Sequence, residues 1–155
     1  MMMDPDPSRD ETDPMSDVLQ NGTIELLIRS DPGESRRIQD DIERRLRQHD
    51  YGERDIFSIK LALEEALINA IKHGNQLDRT KKVRVAFRVT SDRFDVTIAD
   101  EGPGFDPADV PDPTAVENLE RPSGRGLMLM RHYMNDVCYN SAGNAVSMSK
   151  LRFGR

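Results

Sequence analysis

Between Ile38 and Ile98 the spacing of apolar residues changes from four to two, and that change most constrains what this chain can fold into. Ile38, Ile42 and Leu46 recur at every fourth residue, which predicts an amphipathic helix over 34–49. Ile56, Ile59, Leu63, Leu67, Ala70 and Ile71 continue at steps of three and four, which predicts a longer helix over 54–73. From Val83 the period is two. Val83, Val85, Phe87 and Val89 alternate with Arg84, Ala86 and Arg88, and Phe94, Val96 and Ile98 alternate with Asp95 and Thr97. Thr90-Ser91-Asp92-Arg93 between the two runs makes them a hairpin.

The flanking segments extend this pattern. Thr23 to Ile28 reads as a strand, broken by Ser30-Asp31-Pro32-Gly33. Ser30 or Asp31 suits a helix cap, and Pro32 suits the first helical position. Gly74-Asn75 suits a left-handed helix end. Asp100 to Pro113 is loop-like, and a helix is expected from near Arg125. Met128, Met130 and Met134 on it are expected to fill the core. Val137 to Asn140 and Ala145 to Leu151 form a closing hairpin, with Cys138 expected as a small buried residue. The order implies an α/β (α+β) two-layer sandwich: a mixed, mostly antiparallel sheet with helices on one face.

Composition narrows the function classes. Residues 1–17 are rich in Asp, Pro and Ser with no apolar period, so residues 1–20 are expected to be a disordered tail and 21–155 one domain. The net charge of −6 disfavours a general nucleic-acid binder. Arg36-Arg37 and Arg44-Arg45 are interleaved with Asp40, Asp41 and Glu43, the composition of a solvated helix face. The single cysteine excludes an internal disulfide. No run approaches the ~18 apolar residues of a membrane span. A cytoplasmic protein acting without membrane or direct nucleic-acid contact is the expectation.

Three constellations carry chemistry. Glu65, Asn69 and His73 are spaced by four on the long helix, so they share one face. The Asn oxygen is a hard neutral donor for Mg²⁺, and the Glu can take a proton from an attacking hydroxyl or water. The same three residues also suit the solvated polar edge of an amphipathic helix. Glu64 points about 100° away and is the solvent-facing candidate. Asp100-Glu101-Gly102-Pro103-Gly104 follows a strand. An Asp there can accept a hydrogen bond from an exocyclic amine such as adenine N6, or the segment is a plain turn. Ser123-Gly124-Arg125-Gly126-Leu127 stands at a helix start, where open N–H groups and the helix dipole favour phosphate. It is neither a Walker loop nor a Rossmann fingerprint.

Taken together, in this order and spacing, the three resemble the GHKL (histidine-kinase-like, Bergerat) ATP-binding fold, over roughly Thr23 to Leu151. Within that family the chain is most similar to the bacterial anti-sigma-factor serine/threonine-protein kinases. LALEEALINAIKHGN resembles their N-box, ADEGPGFDP their first glycine box, and LERPSGRGLMLMRHYMNDV their short lid and second glycine box. The resemblance implies that Asn69 holds Mg²⁺, that Glu65 is the general base, and that Asp100 recognises adenine in a pocket shaped by Gly102 and Gly104. It further implies that Gly124, Arg125 and Gly126, with Leu127, wrap the ATP phosphates. Arg121 matches a lid arginine and His73 the residue closing the N-box. Pro122, between Arg121 and Ser123, departs from the tighter family pattern. The implied activity is phosphorylation of an anti-sigma-antagonist protein, with sequestration of an RNA polymerase sigma factor by a homodimer. The alternative is a regulator that binds ATP and a partner without transferring phosphate.

Overall fold

Asp31 opens the first helix by accepting the Gly33 N–H at 2.9 Å, with Pro32 at the first helical position. The computed structural model describes residues 17–18, 22–104 and 122–153. The elements run β1 (Asp17–Val18), β2 (Ile24–Arg29), α1 (Pro32–Gln48), α2 (Glu53–Ile68), a wide turn of helix (Asn69–Gly74), β3 (Lys82–Val89), β4 (Arg93–Ala99), α3 (Pro122–Tyr133), β5 (Asp136–Tyr139) and β6 (Ala145–Leu151). They form a six-stranded sheet in the order β1-β2-β3-β4-β6-β5.

Every described strand pair is antiparallel, in line with the mostly antiparallel sheet expected. The chain returns after α3 in the direction of β4, but β6 lies between β4 and β5 and runs opposite to both, so no parallel pair forms. One short strand starts inside the expected tail, since Asp17 and Val18 pair with Glu25 and Ile24.

The period-two residues face one way. Val83, Val85 and Phe87 of β3, Phe94, Val96 and Ile98 of β4, and Val146 and Met148 of β6 are buried. They meet Ile38, Ile42 and Leu46 of α1, Ile56, Ile59, Leu63 and Leu67 of α2, and Leu127, Met130 and Met134 of α3. Helices therefore cover a single face, as the alternation requires. Met128, expected in the core, is 48% exposed, because it lies two residues from Met130 and so on the far side of α3. Cys138 is exposed as well: Val137 and Tyr139 take the inward positions of β5, and Cys138 between them points away.

The charged face of α1 pairs with itself and its neighbour. Arg44 and Arg45 meet Asp41, and Lys60 of α2 meets Glu43. Such exposed pairs add little stability each. No helix among the described residues is long and apolar enough to cross a membrane.

The long helix departs from its expected form at its end. After Ile68 the turn widens: the Asn75 N–H donates to Ala70 O five residues back, at 2.8 Å. Wide turns of this kind concentrate at functional sites. The left-handed residues are Gln76 (φ 54°) and Leu77 (φ 59°), not Gly74 or Asn75. Asn75 is instead fully buried, and its carboxamide joins three segments. Its Nδ2 donates to Ser30 Oγ at 2.9 Å and Lys82 O at 3.0 Å, while its Oδ1 accepts the Glu101 N–H at 2.7 Å.

Candidate functional site

The wide turn, the end of β4 and the β5–β6 hairpin enclose a cleft of about 190 Å³. Ala66, Ile98 and Val146 give it apolar walls; Asn69, Asp100 and Tyr139 are polar groups that reach it. A slot that is mostly apolar with a few placed polar groups is the usual form of a small-molecule site.

Close backbone approach builds its inner end. A methyl group on Gly74 would stand 2.3 Å from the Asp100 carboxyl carbon, and one on Gly102 would stand 2.2 Å from Gly74 O. The first two motifs thus meet where neither can carry a side chain. The Asp100 carboxylate also accepts the Gly102 N–H at 2.7 Å, which fixes its direction. Gly104 adopts φ +74°, a conformation open to glycine, beside Ala142 of the hairpin.

The third motif closes on the first. A methyl group on Gly126 would lie 2.6 Å from Glu65 Oε2 and 2.9 Å from Asn69 Nδ2, so the backbone of α3 rests on these two side chains. Glu65 is half-buried and Glu64 exposed, which is the facing expected from the sequence. His73 is exposed at the rim of the cleft. The helix begins at Pro122 rather than near Arg125, because proline suits a first helical position. Gly124 and Arg125 fall in its first turn, and Gly126 in its second. The N–H groups left open at a helix start belong to residues ahead of Gly126. Gly126 therefore serves close approach. Leu127, grouped with the phosphate-binding glycines, places its side chain in the core at 4% exposure. Arg121 and the side chain of Arg125 lie outside the described residues.

Burial governs the electrostatics. It raises the Glu65 carboxyl above its ordinary range, Glu64 adds to the rise, and His73 opposes it. It raises Asp100 too, against the Gly102 N–H and Lys81. It pushes the Tyr139 phenol up to about 12, against a hydrogen bond with the Asn69 side chain. Asn69 Oδ1 is buried and, among the described residues, accepts no hydrogen bond.

A buried carboxamide oxygen without a donor is suited to a hard cation, which prefers oxygen ligands. Among the described residues no group of three His, Cys, Asp or Glu side chains could hold a metal ion. A cation at Asn69 would draw its other ligands from phosphate and water.

Three residues of this region were not singled out from the sequence. Asn75 ties the wide turn to β2, β3 and the segment after β4. Tyr139 lines the cleft with Asn69. Asn144 accepts the Asp100 N–H on its carbonyl at 2.9 Å and donates from Nδ2 to Gly102 O at 3.4 Å. The inward period of β5 could have flagged Tyr139, as a polar tip at an inward position.

Comparison with known proteins agrees with this fold. The family model described as a histidine kinase-like ATPase domain matches residues 28–150. The serine-protein kinase RsbW of Bacillus licheniformis is 37% identical over 110 residues, covering 65% of this chain and 68% of that protein. The serine/threonine-protein kinase BtrW of Bordetella bronchiseptica is 32% identical over 85 residues, covering 54% of this chain and 60% of that protein. A solved chain carrying the RsbU and RsbW domains of a Mycobacterium tuberculosis protein superposes with a TM-score of 0.55. It covers 83% of this chain and 32% of its own length, and at 15% identity the likeness is one of fold.

Proposed function

The chain belongs to the histidine kinase-like ATPase domain family, and from that premise we propose that it is a protein-serine/threonine kinase acting in a partner-switching pathway. Its substrate is an anti-sigma-antagonist protein. In the ATP-bound state it holds an RNA polymerase sigma factor, as a homodimer. The observation that carries this reading is the meeting of Glu65 and Asn69 beneath Gly126, with Asn69 Oδ1 buried and, among the described residues, unpartnered.

Each residue then has a task. Asp100 accepts the adenine N6 amine, with its direction fixed by the Gly102 N–H. The apolar walls at Ala66, Ile98 and Val146 take the faces of the ring. The open N–H groups at the start of α3 receive phosphate oxygens. Asn69 Oδ1 would hold Mg²⁺, which when bound offsets the negative charge of the phosphates beside Glu65. Glu65 takes the proton of a substrate serine or threonine hydroxyl as that oxygen bonds to the γ-phosphorus and the bond to ADP breaks. Its raised carboxyl is better matched to that proton than an ordinary one. The remaining acceleration comes from position and charge.

The test is transfer of labelled phosphate from Mg-ATP to a co-encoded small antagonist protein, with nucleotide binding followed by calorimetry in the same preparation. Transfer that disappears in Asp100→Asn together with ATP binding supports the reading. ATP binding without transfer to any antagonist would leave a non-catalytic regulator in its place.

A further inference from the structure

We propose that Asn140, in the turn between β5 and β6, is a positioning residue for adenine selectivity: it sets the Asn144 carboxamide, and Asn144 holds the backbone that carries Asp100. The proposal rests on the reading of Asp100 as the adenine acceptor given above.

The segment from Asp100 to Gly102 lies beyond the end of β4 at Ala99, so its backbone groups go to other elements. The Asp100 N–H donates to Asn144 O at 2.9 Å, the Glu101 N–H to Asn75 Oδ1 at 2.7 Å, and the Gly102 N–H to the Asp100 carboxylate at 2.7 Å. Gly102 O accepts from Asn144 Nδ2 at 3.4 Å. The segment is thus gripped from two sides, by Asn75 after the wide turn and by Asn144 in the hairpin. Asn75 is fully buried, whereas Asn144 is only half-buried, so the hairpin side needs a support of its own.

Asn140 supplies that support. Its Oδ1 accepts the N–H groups of Asn144 at 3.0 Å and of Ala145 at 3.1 Å. Both donors are backbone groups, so the oxygen end of the carboxamide faces them and the NH₂ end is turned to the Asn144 side chain. Nδ2 donates to Asn144 Oδ1 at 2.8 Å. That bond fixes Asn144 in turn: with its oxygen taken, its NH₂ group faces Gly102 O, which can only accept. Two carboxamides stand in a row, and the first decides which way the second is turned. The Oδ1 bonds close the turn, while the Nδ2 bond sets the side chain that reaches out of it. Asn144 lines the cleft and, among the described residues, Asn140 does not. A change at Asn140 therefore acts on Asp100 through Asn144, without filling or emptying the cleft.

Asp100 reads the exocyclic amine of adenine, and hypoxanthine carries a carbonyl oxygen at that place. The ratio of ATP to ITP affinity therefore reports the placing of Asp100, whereas a general loss of stability or of cleft shape moves both nucleotides together. The experiment measures both affinities by calorimetry with Mg²⁺, on the full chain, for the unsubstituted protein, Asn140→Ala and Asn140→Asp. The aspartate keeps an oxygen for the two backbone N–H groups and loses the donor to Asn144, so it holds the turn even where the alanine does not fold. The unsubstituted chain should prefer ATP. In the variants the ratio should fall roughly 3- to 10-fold, the usual effect of one hydrogen bond used to hold a group in place. A ratio unchanged in Asn140→Asp overturns the positioning role and leaves the kinase reading intact. Equal weakening of ATP and ITP also overturns it, since Asn140 would then serve the hairpin alone. An unsubstituted chain that binds ATP and ITP alike overturns the adenine assignment of Asp100 and the proposal with it, and one that binds neither overturns the nucleotide site itself.

Discussion

Gly74 and Asp100 are packed so closely that a single methyl group on Gly74 would fall 2.3 Å from the Asp100 carboxyl carbon. A residue from the end of a helical segment thus supports, by having no side chain, the carboxylate at the end of a strand. Gly74→Ala should therefore displace Asp100. We expect a loss of about 1–3 kcal/mol of stability, the usual effect of overpacking, and a fall in ATP affinity beyond what that loss explains. Calorimetry with Mg-ATP below the melting temperature separates the two. Normal affinity would mean that Asp100 does not recognise the nucleotide.

Glu65→Ala should leave ATP binding in place and lower phosphate transfer by ~10²–10⁴-fold. The acid side of the pH–rate profile should lie above the ordinary carboxylate range, because burial and Glu64 both raise Glu65. Activity needs the ionised form, so it falls as pH drops through that raised value. Glu64→Gln removes one of the two causes, and the acid limb should move to lower pH. A limb that stays in place would remove Glu65 as the titrating base.

Asp100→Asn should abolish adenine recognition and yet raise the melting temperature at neutral pH. Burial is the largest influence on Asp100 and raises its carboxyl in the folded state. A group raised on folding favours the fold below its unfolded value and loses that contribution as pH climbs through the folded one. Near neutrality the ionised Asp100 is therefore a cost that asparagine lacks. The gain in melting temperature should shrink as the pH is lowered into the carboxylate range. A variant less stable than the parent at neutral pH would contradict this.

Asn75→Ala should cost roughly 1–3 kcal/mol in urea unfolding, since it strands Lys82 O and the Glu101 N–H in a partly buried place. Glu101 directly follows Asp100, which lines the cleft, so ATP affinity should fall as well. A loss below 1 kcal/mol would mean that water replaces the carboxamide; the bound is on the order of one hydrogen bond.

Gly126→Ala should push Glu65 and Asn69 aside. Transfer should fall roughly 10²-fold, the effect of a misplaced reacting group, with little change in melting temperature because the side chains it meets can move. Unimpaired transfer would show that α3 stands clear of Glu65 during turnover.

The elements were legible because one face of the sheet is buried and the other is not. Each wrong register of β3 or β4 would have turned Val85, Phe87 or Val96 outward. The helical face of Glu65 and Asn69 was legible for the same reason, since Leu63 and Leu67 fix which side of α2 is inward. The wide turn was hidden, because Ala70 and Ile71 satisfy the spacing of a plain helix equally well. The role of Asn75 was hidden by distance: its partners Ser30, Lys82 and Glu101 belong to three other segments. Cys138 was misjudged because its neighbours Val137 and Tyr139 are also largely apolar, so no alternation marked the inward side.

The wide turn at Asn69–Gly74 has a consequence for how this chain could change over time. It amounts to one residue more than a regular helix would use. Deleting a single residue between Asn69 and Gly74 would give a more regular helix, with every N–H bonded four residues back. The residues beyond would keep nearly their present facing, because the wide turn spends its extra residue within the same rotation. A loss of one residue is therefore absorbed here without turning the chain that follows. Descendants of this chain should accept that change of length where a glycine still stands beneath Asp100.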